Sequence, residues 1–219
     1  MVGSSVPPSL NDLFTLTKSA IYPFLQIYRA TPLRFQPGRH ENDAEHSWSV
    51  AFMACALAPQ IDTALDVGKI AQFATVHDLV EVYAGDTSNL GPEDEKMTKD
   101  SREQAAFEKL RTELAPFPWI CKTIAEYEEQ ASEESKFVKA VDKIMILLFD
   151  VIDEGEVYKE NQVTIEVWQQ KMRKHREKAR RHDAVFQYYD QLWDLILSHP
   201  QFFYSPGNET TTGLTIVDT

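Results

Sequence analysis

The run His77-Asp78-Leu79-Val80-Glu81-Val82-Tyr83-Ala84-Gly85-Asp86 concentrates residues able to do chemistry. A histidine and an aspartate are adjacent, a glutamate follows three residues after the aspartate, and a second aspartate sits just past a glycine. Ahead of them Val67, Ile70, Ala71 and Ala74 recur at helical spacing, and His77, Asp78 and Glu81 continue that stripe. The polar trio therefore falls on the face the helix buries. A carboxylate there is costly unless something compensates it. A divalent cation does so by accepting imidazole nitrogen and carboxylate oxygen together. The competing reading is a His–Asp pair that caps a helix end or lies at the surface.

Other parts of the chain supply partners. His46 sits in Glu45-His46-Ser47 at the first turn of its helix. Asp142 lies in the middle of an apolar helix, flanked on its own face by Val138 and Met145, where an aspartate without a partner is a poor core residue. It either shares a cation with His46, His77 and Asp78 or pairs with Lys143 or an arginine at the helix surface. By ligand type, two imidazoles and two carboxylates suit one ion of Mn, Fe, Co, Ni, Zn or Mg. Such an ion keeps room for water and a phosphate oxygen, so it could polarise a phosphoryl group and acidify a bound water. Glu81, one turn from His77 and Asp78, can reach a water on that ion. Asp86, past the helix end, can approach from the side. Arg29, Arg34 and Arg39 offer guanidinium forks that grip phosphate oxygens in pairs, against the alternative of solvated loop cations.

The elements that must position these groups read as helical. From Leu10 the residues Leu13, Phe14, Leu16, Ile21, Phe24, Leu25 and Tyr28 follow a helical pattern, with Ser9 or Asn11 as cap and Pro23 as a kink. Residues 29–42 read as a basic loop. A helix follows over about 44–58, capped by Asp43 and stopped by Pro59. The next opens at Asp62 or Thr63, carries the His77-Asp78 pair and ends at Gly85. After a linker over 87–96 come an amphipathic helix over 100–114, a break at Pro116 and Pro118, and a helix near 119–130. Residues 133–152 form the most apolar helix, apolar nearly all round and so central. Residues 164–198 read as a long final helix or a broken pair. Few segments alternate at period two and no repeat is visible. The reading is one all-α domain over 10–204, between a flexible N-terminal arm at 1–9 and a flexible C-terminal tail at 205–219.

With 219 residues, 43% of them hydrophobic, the chain is long enough for a sizeable core in one domain. A net charge of −12 speaks against a partner made of nucleic-acid polymer, which demands a basic face. Cys55 and Cys121 read as small core residues rather than a disulfide, which fits a reducing cytoplasm. No apolar stretch reaches spanning length and the N-terminus lacks a basic-then-apolar pattern, so the chain reads as soluble and untargeted, with no membrane partner. Among weaker candidates, the basic run 171–182 could touch a substrate phosphate or a partner's acidic surface, or be a solvated helix face. Glu126, Glu128, Glu129, Glu133 and Glu134 form an acidic patch that reads as solubility charge. His175, His182 and His199 read as surface residues. Trp168, Trp193 and Phe202-Phe203-Tyr204 read as core or interface.

His46, then His77-Asp78, then Asp142 resemble the H…HD…D signature of the HD-domain metal-dependent phosphohydrolases. The likeness is closest to the bacterial 5'-deoxynucleotidase branch. Arg39-His40-Glu41-Asn42-Asp43-Ala44-Glu45-His46-Ser47 is similar to its R-x-E-N-x-x-E-H-S run. His77-Asp78-Leu79-Val80-Glu81 with Gly85-Asp86 is similar to its H-D-x-x-E-x-x-x-G-D run, and Lys139-Ala140-Val141-Asp142-Lys143 stands where that branch has its final aspartate. The resemblance spans roughly residues 13–197. It implies a single helical bundle and one divalent metal ion held by His46, His77, Asp78 and Asp142. It implies that Glu81 orients or activates the attacking water and that Asp86 assists proton transfer or binds the sugar. An upstream arginine would hold the phosphate, with Arg29 at the matching place and Arg34 and Arg39 as alternatives. The family carries a bulky aromatic after that arginine where this chain has Ala30. Trp48, beside His46, could line the nucleotide pocket or pack in the core.

The activity this implies is hydrolysis of 2'-deoxynucleoside 5'-monophosphates to nucleoside and orthophosphate by attack of metal-bound water. Two rivals keep the same residues: a dNTP triphosphohydrolase of dATP type, and a regulatory module that holds metal or nucleotide without turnover. An intact Glu81 and Asp86 argue against the second rival. The aromatic-rich final helix and family habit point to a homodimer.

Overall fold

The computed structural model describes residues 7–33, 36, 38–88, 90 and 93–206, without the side chains of 93–97. Arg34 and most of the expected arm and tail therefore lie outside the described residues. The chain opens with α1 (Leu10–Leu16), which begins at Ser9 through a reciprocal capping box. The Ser9 hydroxyl accepts from the Asp12 amide, and the Asp12 carboxylate accepts from the Ser9 amide at 2.7 Å. A π-helical stretch, Thr17–Ile21, and the short α2 (Tyr22–Phe24) follow, so the bend expected at Pro23 begins one turn earlier.

The expected loop over 29–42 is instead a small antiparallel ribbon. Its strands are β1 (Tyr28–Pro32) and β2 (His40–Asn42), with Tyr28 opposite Asn42 and Pro32 opposite His40. Pro32 and Gly38 read as loop signals, yet a proline at the end of an edge strand breaks no ladder bond. The ribbon leads directly into α3 (Asp43–Ile61), whose cap is Asn42 rather than Asp43. The Asn42 side chain accepts from the Glu45 amide at 3.0 Å, and Glu45 returns the bond to the Asn42 amide at 3.1 Å. Asp43 is thereby left to face inward. Pro59 falls inside the last turn of α3 without stopping it, since one missing amide there costs a single terminal bond.

Asp66, not Asp62 or Thr63, caps α4 (Val67–Val76). This helix ends before the His77-Asp78 pair. Residues 77–80 form a tight turn with bonds from the Leu79 amide to Val76 and from the Glu81 amide to Asp78, at 3.1 and 2.9 Å. The short α5 (Glu81–Ala84) follows and ends at Gly85, whose φ of +76° suits glycine. Helix α6 (Glu93–Glu113) starts inside the stretch expected to be linker, and α7 (Pro118–Glu129) matches its expected place. So does α8 (Glu133–Ile152), capped by Ser132. Beyond it come α9 (Glu156–Glu160), α10 (Ile165–Lys171), α11 (Arg173–Ala179), α12 (Asp183–Leu197) and a 3₁₀ turn, Pro200–Phe202. The stretch 164–198, expected as one long helix or a broken pair, is thus three helices, and α9 was not foreseen.

The fold is all-helical apart from the ribbon. Helix α8 is its axis and packs against α3, α4, α11 and α12. Two apolar clusters fill the bundle. One joins Val50, Phe73, Phe137, Val141, Leu147, Trp168 and Tyr189 around α8; the other joins Phe24, Val76, Leu79, Leu110 and Ile124 around α5, α6 and α7. The 77–80 turn crosses from the first to the second, so its polar residues stand at the seam. After α8, Gly155 (φ +68°) turns the chain so tightly against Phe202 that an added Cβ would lie 2.4 Å from its carbonyl oxygen. Among the described residues no helix is long and apolar enough to cross a membrane.

Candidate metal centre

Three elements send ligand-type groups to one point on that seam: the first turn of α3, the 77–80 turn, and the middle of α8. His46 Nε2 lies 3.1 Å from Asp142 Oδ1 and 3.8 Å from Asp78 Oδ2. His77 Nε2 lies 3.3 Å from the same Asp78 oxygen. Donor atoms of His46, His77 and Asp142 all fall within 4.8 Å of one another, and those of Asp43, Asp78 and Glu81 form a second such group. Breaking the helix at Val76 makes this possible, because successive residues of a continuous helix diverge by about 100°.

The imidazoles are held from behind. His77 Nδ1 donates to the Ala74 carbonyl at 2.9 Å, which turns Nε2 toward the centre. The Tyr127 ring meets His77 edge-on at 6.0 Å. His46 Nδ1 sits 3.3 Å from Glu41 Oε2, a buried carboxylate on β2. Buried atoms without a hydrogen-bond partner gather here: Glu41 Oε2, Asp43 Oδ2, His46 Nδ1, His77 Nε2 and Glu81 Oε2. Such atoms are costly in an apolar interior unless a cation takes them up. Burial, with Asp78, Asp86 and Asp43 close by, pushes the Glu81 pKa up to about 10. Burial and Arg29 press the His46 pKa down, but Asp142 and Glu41 outweigh them and bring it to about 9. Burial would also raise Asp78, yet His77 and Arg29 hold it well below the usual carboxylate range. The set is thus two imidazoles and a crowd of carboxylates short of positive charge, and it fits one divalent ion of the N/O-binding kind.

Arg29, on β1, supplies part of that charge. Its Nη1 donates to Asp43 Oδ1 at 2.9 Å and to Asp78 Oδ2 at 2.8 Å, and lies 3.9 Å from Glu81 Oε2. On the other side Lys143 Nζ lies 2.6 Å from Asp142 Oδ2. Asp142 therefore has both partners weighed from sequence, the imidazole and the lysine, and it is buried. A cleft of about 290 Å³ opens over His77, Asp78 and Glu81, and Arg29 and Asp86 also line it. The loop bearing Asp86 is clamped by Arg102 of α6, which donates to the Ala84 carbonyl and to the Thr87 hydroxyl.

The structure does not bring every candidate here. Trp48 is 67% exposed on the outer face of α3, stacked on Phe52 at 5.4 Å, so it lines neither the cleft nor the core. His46, two residues earlier, is buried on the opposite face of the helix. Arg39 is turned to Gln36 and Glu45 and is outside the cleft. His175 is buried at 1% exposure, with Nδ1 2.8 Å from the Tyr189 hydroxyl, and is no surface residue. The basic run divides: Lys178 and Arg181 line the cleft, whereas Arg173, Arg176 and Arg180 face a separate groove. Sequence reasoning gave Glu41, Lys99 and Lys139 no part in the site and saw Lys143 only as a partner for Asp142. The lysines had a signal, since Lys139 and Lys143 are spaced i, i+4 on the otherwise apolar helix that carries Asp142.

Residues 26–184 match the HD domain family, and the chain belongs to it. It is similar to the 5'-deoxynucleotidase HDDC2 of Homo sapiens, 32% identical over 115 residues that make up 50% of this chain and 53% of that protein. The Mus musculus HDDC2 5'-deoxynucleotidase is 33% identical over 113 residues, 49% of this chain and 53% of that protein. The chain thus spans about half the length of these relatives. Among solved structures, a predicted metal-dependent phosphohydrolase from Magnetospirillum magnetotacticum superposes with a TM-score of 0.72 at 29% identity, covering 90% of this chain and 96% of that one. A conserved hypothetical protein from Pyrococcus furiosus shares the fold, with a TM-score of 0.58 at 21% identity over 87% of this chain and 99% of that one.

Proposed function

We propose that the chain is a metal-dependent phosphohydrolase that removes the 5'-phosphate from 2'-deoxynucleoside 5'-monophosphates. The observation that carries this reading is the convergence of His46, His77 and Asp142 within 4.8 Å beside Asp78, with Arg29 in contact with the same Asp78. The likeness to 5'-deoxynucleotidases and to a metal-dependent phosphohydrolase supports it.

His46, His77, Asp78 and Asp142 would hold one divalent ion. When bound, such an ion supplies charge to a phosphoryl oxygen and acidifies a water. Arg29 has a planar fork within reach of the centre and can exchange its grip on Asp78 for phosphate oxygens of the substrate. Glu81 accepts the proton of the attacking water, which requires its carboxylate form. Burial and Asp78 work against that form; Arg29 and Lys99, whose Nζ lies 3.8 Å from Glu81 Oε1, favour it, and a bound divalent ion would add to them. Asp86, on the clamped loop that lines the cleft, would accept a hydrogen bond from a sugar hydroxyl. The stacked, exposed Trp48 and Phe52 suit a contact between two copies of the chain, which sedimentation would detect.

The test is a metal-by-substrate screen on protein stripped with a chelator. Activity on dAMP should vanish on stripping and return with one or more of Co, Mn, Zn, Ni, Fe and Mg. Glu81→Gln should lower kcat by about 10²–10⁴-fold while metal content holds. Full turnover in the stripped protein, or in Glu81→Gln, would remove the reading.

A further inference from the structure

Asp142 and Lys143 are neighbours in the middle of α8, and both are buried. Successive residues of a helix diverge by about 100°, and a lysine in such a place ordinarily extends its stem toward water. Lys143 instead turns back, so that its Nζ lies 2.6 Å from Asp142 Oδ2; among the described residues this is its one ion pair. The two oxygens of Asp142 are thereby committed to different partners. Oδ1 lies 3.1 Å from His46 Nε2, inside the centre, and Oδ2 lies against the ammonium.

The other carboxylates of the centre are not divided in this way. Glu41, Asp43 and Glu81 each leave one buried oxygen without a hydrogen bond, whereas neither oxygen of Asp142 is so left. Asp78 meets His46, His77 and Arg29 all through Oδ2. The nearest cation of the same helix is also used differently. Lys139, one turn before Lys143, lines the same cleft, but its ammonium lies over the Tyr127 ring at 5.2 Å.

A carboxylate can give a metal ion one oxygen or two. On a six-coordinate ion, single donors from His46, His77, Asp78 and Asp142 leave about two positions, enough for a water and a phosphate oxygen. A second oxygen from Asp142 would close one of them. An ammonium at Oδ2 opposes the charge of an incoming cation, so it is poorly suited to tightening the site. What it does well is occupy that oxygen.

We infer that Lys143 is a positioning residue of the metal centre: by holding Asp142 Oδ2 it restricts Asp142 to one ligating oxygen, Oδ1, and keeps a coordination position open for substrate. This rests on the metal centre of the function proposed above and adds what sets its number of open positions.

The experiment counts those positions with Mn(II) loaded into the chelator-stripped protein. Water-proton relaxation reports the waters bound per ion, and electron paramagnetic resonance of free Mn(II) reports the affinity. The parent should hold about two exchangeable waters and Lys143→Met about one, with Mn(II) bound at least about threefold tighter once the opposing charge is gone. Lys143→Arg should restore the parent count, and Lys139→Met, which removes a charge from the same cleft without freeing Asp142, should keep it. Lys143→Gln repeats the measurement should the Met variant fail to fold. A parent count retained in the neutral Lys143 variants, a water lost equally in Lys139→Met, or Mn(II) bound tenfold more weakly without Lys143 would each overturn the role. None of these readouts needs turnover. An unchanged count with dAMP hydrolysis intact removes the positioning role alone, and the expected counts without hydrolysis remove the reaction alone. A parent that takes up no ion overturns both.

Discussion

Helix α8 serves two buried clusters that differ in what they ask of the fold. Toward its C-terminal end it faces an aromatic group in which Tyr158 stacks on Phe203 at 5.2 Å and Trp168 meets Trp193 at 4.4 Å. The hydroxyl groups there find partners, the Tyr158 hydroxyl donating to Asp150 at 2.6 Å and the Tyr189 hydroxyl meeting His175, and among the described residues of this group only the uncharged Trp168 Nε1 and His175 Nε2 are left buried without one. Near its middle, α8 offers Asp142 to a group in which Glu41, Asp43, His46, His77 and Glu81 each leave a buried atom without a hydrogen bond. The aromatic cluster stabilises the bundle through area and packing. The polar cluster draws on that stability, since its charges are dehydrated and only partly paired. A site of this kind is affordable because the same helix anchors both.

Substitutions should separate the two. His77→Ala removes an imidazole whose backing partners are already in place. Losing such a backing partner typically costs 10–100-fold, so losing the ligand itself should lower dAMP hydrolysis by more than about a hundredfold. Metal content per chain, read by elemental analysis, should drop with it, while the thermal midpoint stays near that of the stripped parent. A variant that unfolds instead would show that the polar cluster supports the fold. Trp168→Ala should do the reverse. Trp168 is fully buried, and its loss should cost about 3–5 kcal/mol in denaturant unfolding, with metal content of the folded fraction unchanged.

The smallest effect tests the boundary between the clusters. Asp150 is buried beside Tyr158, and burial raises its pKa from 3.8 to about 7. A carboxyl whose pKa is higher in the folded state favours folding in its protonated form. Its contribution is complete below the unfolded value near 3.8 and is lost as pH rises through about 7. Thermal scans should show the parent losing stability across that window by more than Asp150→Asn does. Parallel pH profiles for the two proteins would show that Asp150 is ionised and paired in the fold.

Much of this molecule can be read from its residues, and the failures have physical causes. Helix α8 was placed correctly because Ser132 caps it and its apolar positions leave no ambiguity of period. Donor atoms of His46, His77 and Asp142 fall close together, with Asp78 against His77, although they come from three separate stretches of the chain. The 77–80 turn was missed because its apolar and polar residues continue the stripe of α4, and only Gly85 signalled a stop. The ribbon that presents Arg29 and Glu41 was missed because β2 is three residues long and shows no alternation. His175 was misread through its basic neighbours, although Trp168, Met172, His175 and Ala179 repeat at helical spacing and all are buried. Trp48 was drawn toward the site by adjacency to His46, and adjacency on a helix means divergence. The basic run 171–182 was weighed as a phosphate contact, but its meeting with Lys139 and Lys143 in one cleft was not legible because only packing joins α8 and α11.

Gly155 carries a consequence for how the aromatic side stays shut. With Phe202 seated where a side chain would be, the 3₁₀ turn and the elbow after α8 behave as a latch and its strike plate. A Gly155→Ala exchange would wedge that fastening open, at the level of one methyl group, and water would reach the Tyr158–Asp150 pair before any ligand of the metal centre had moved.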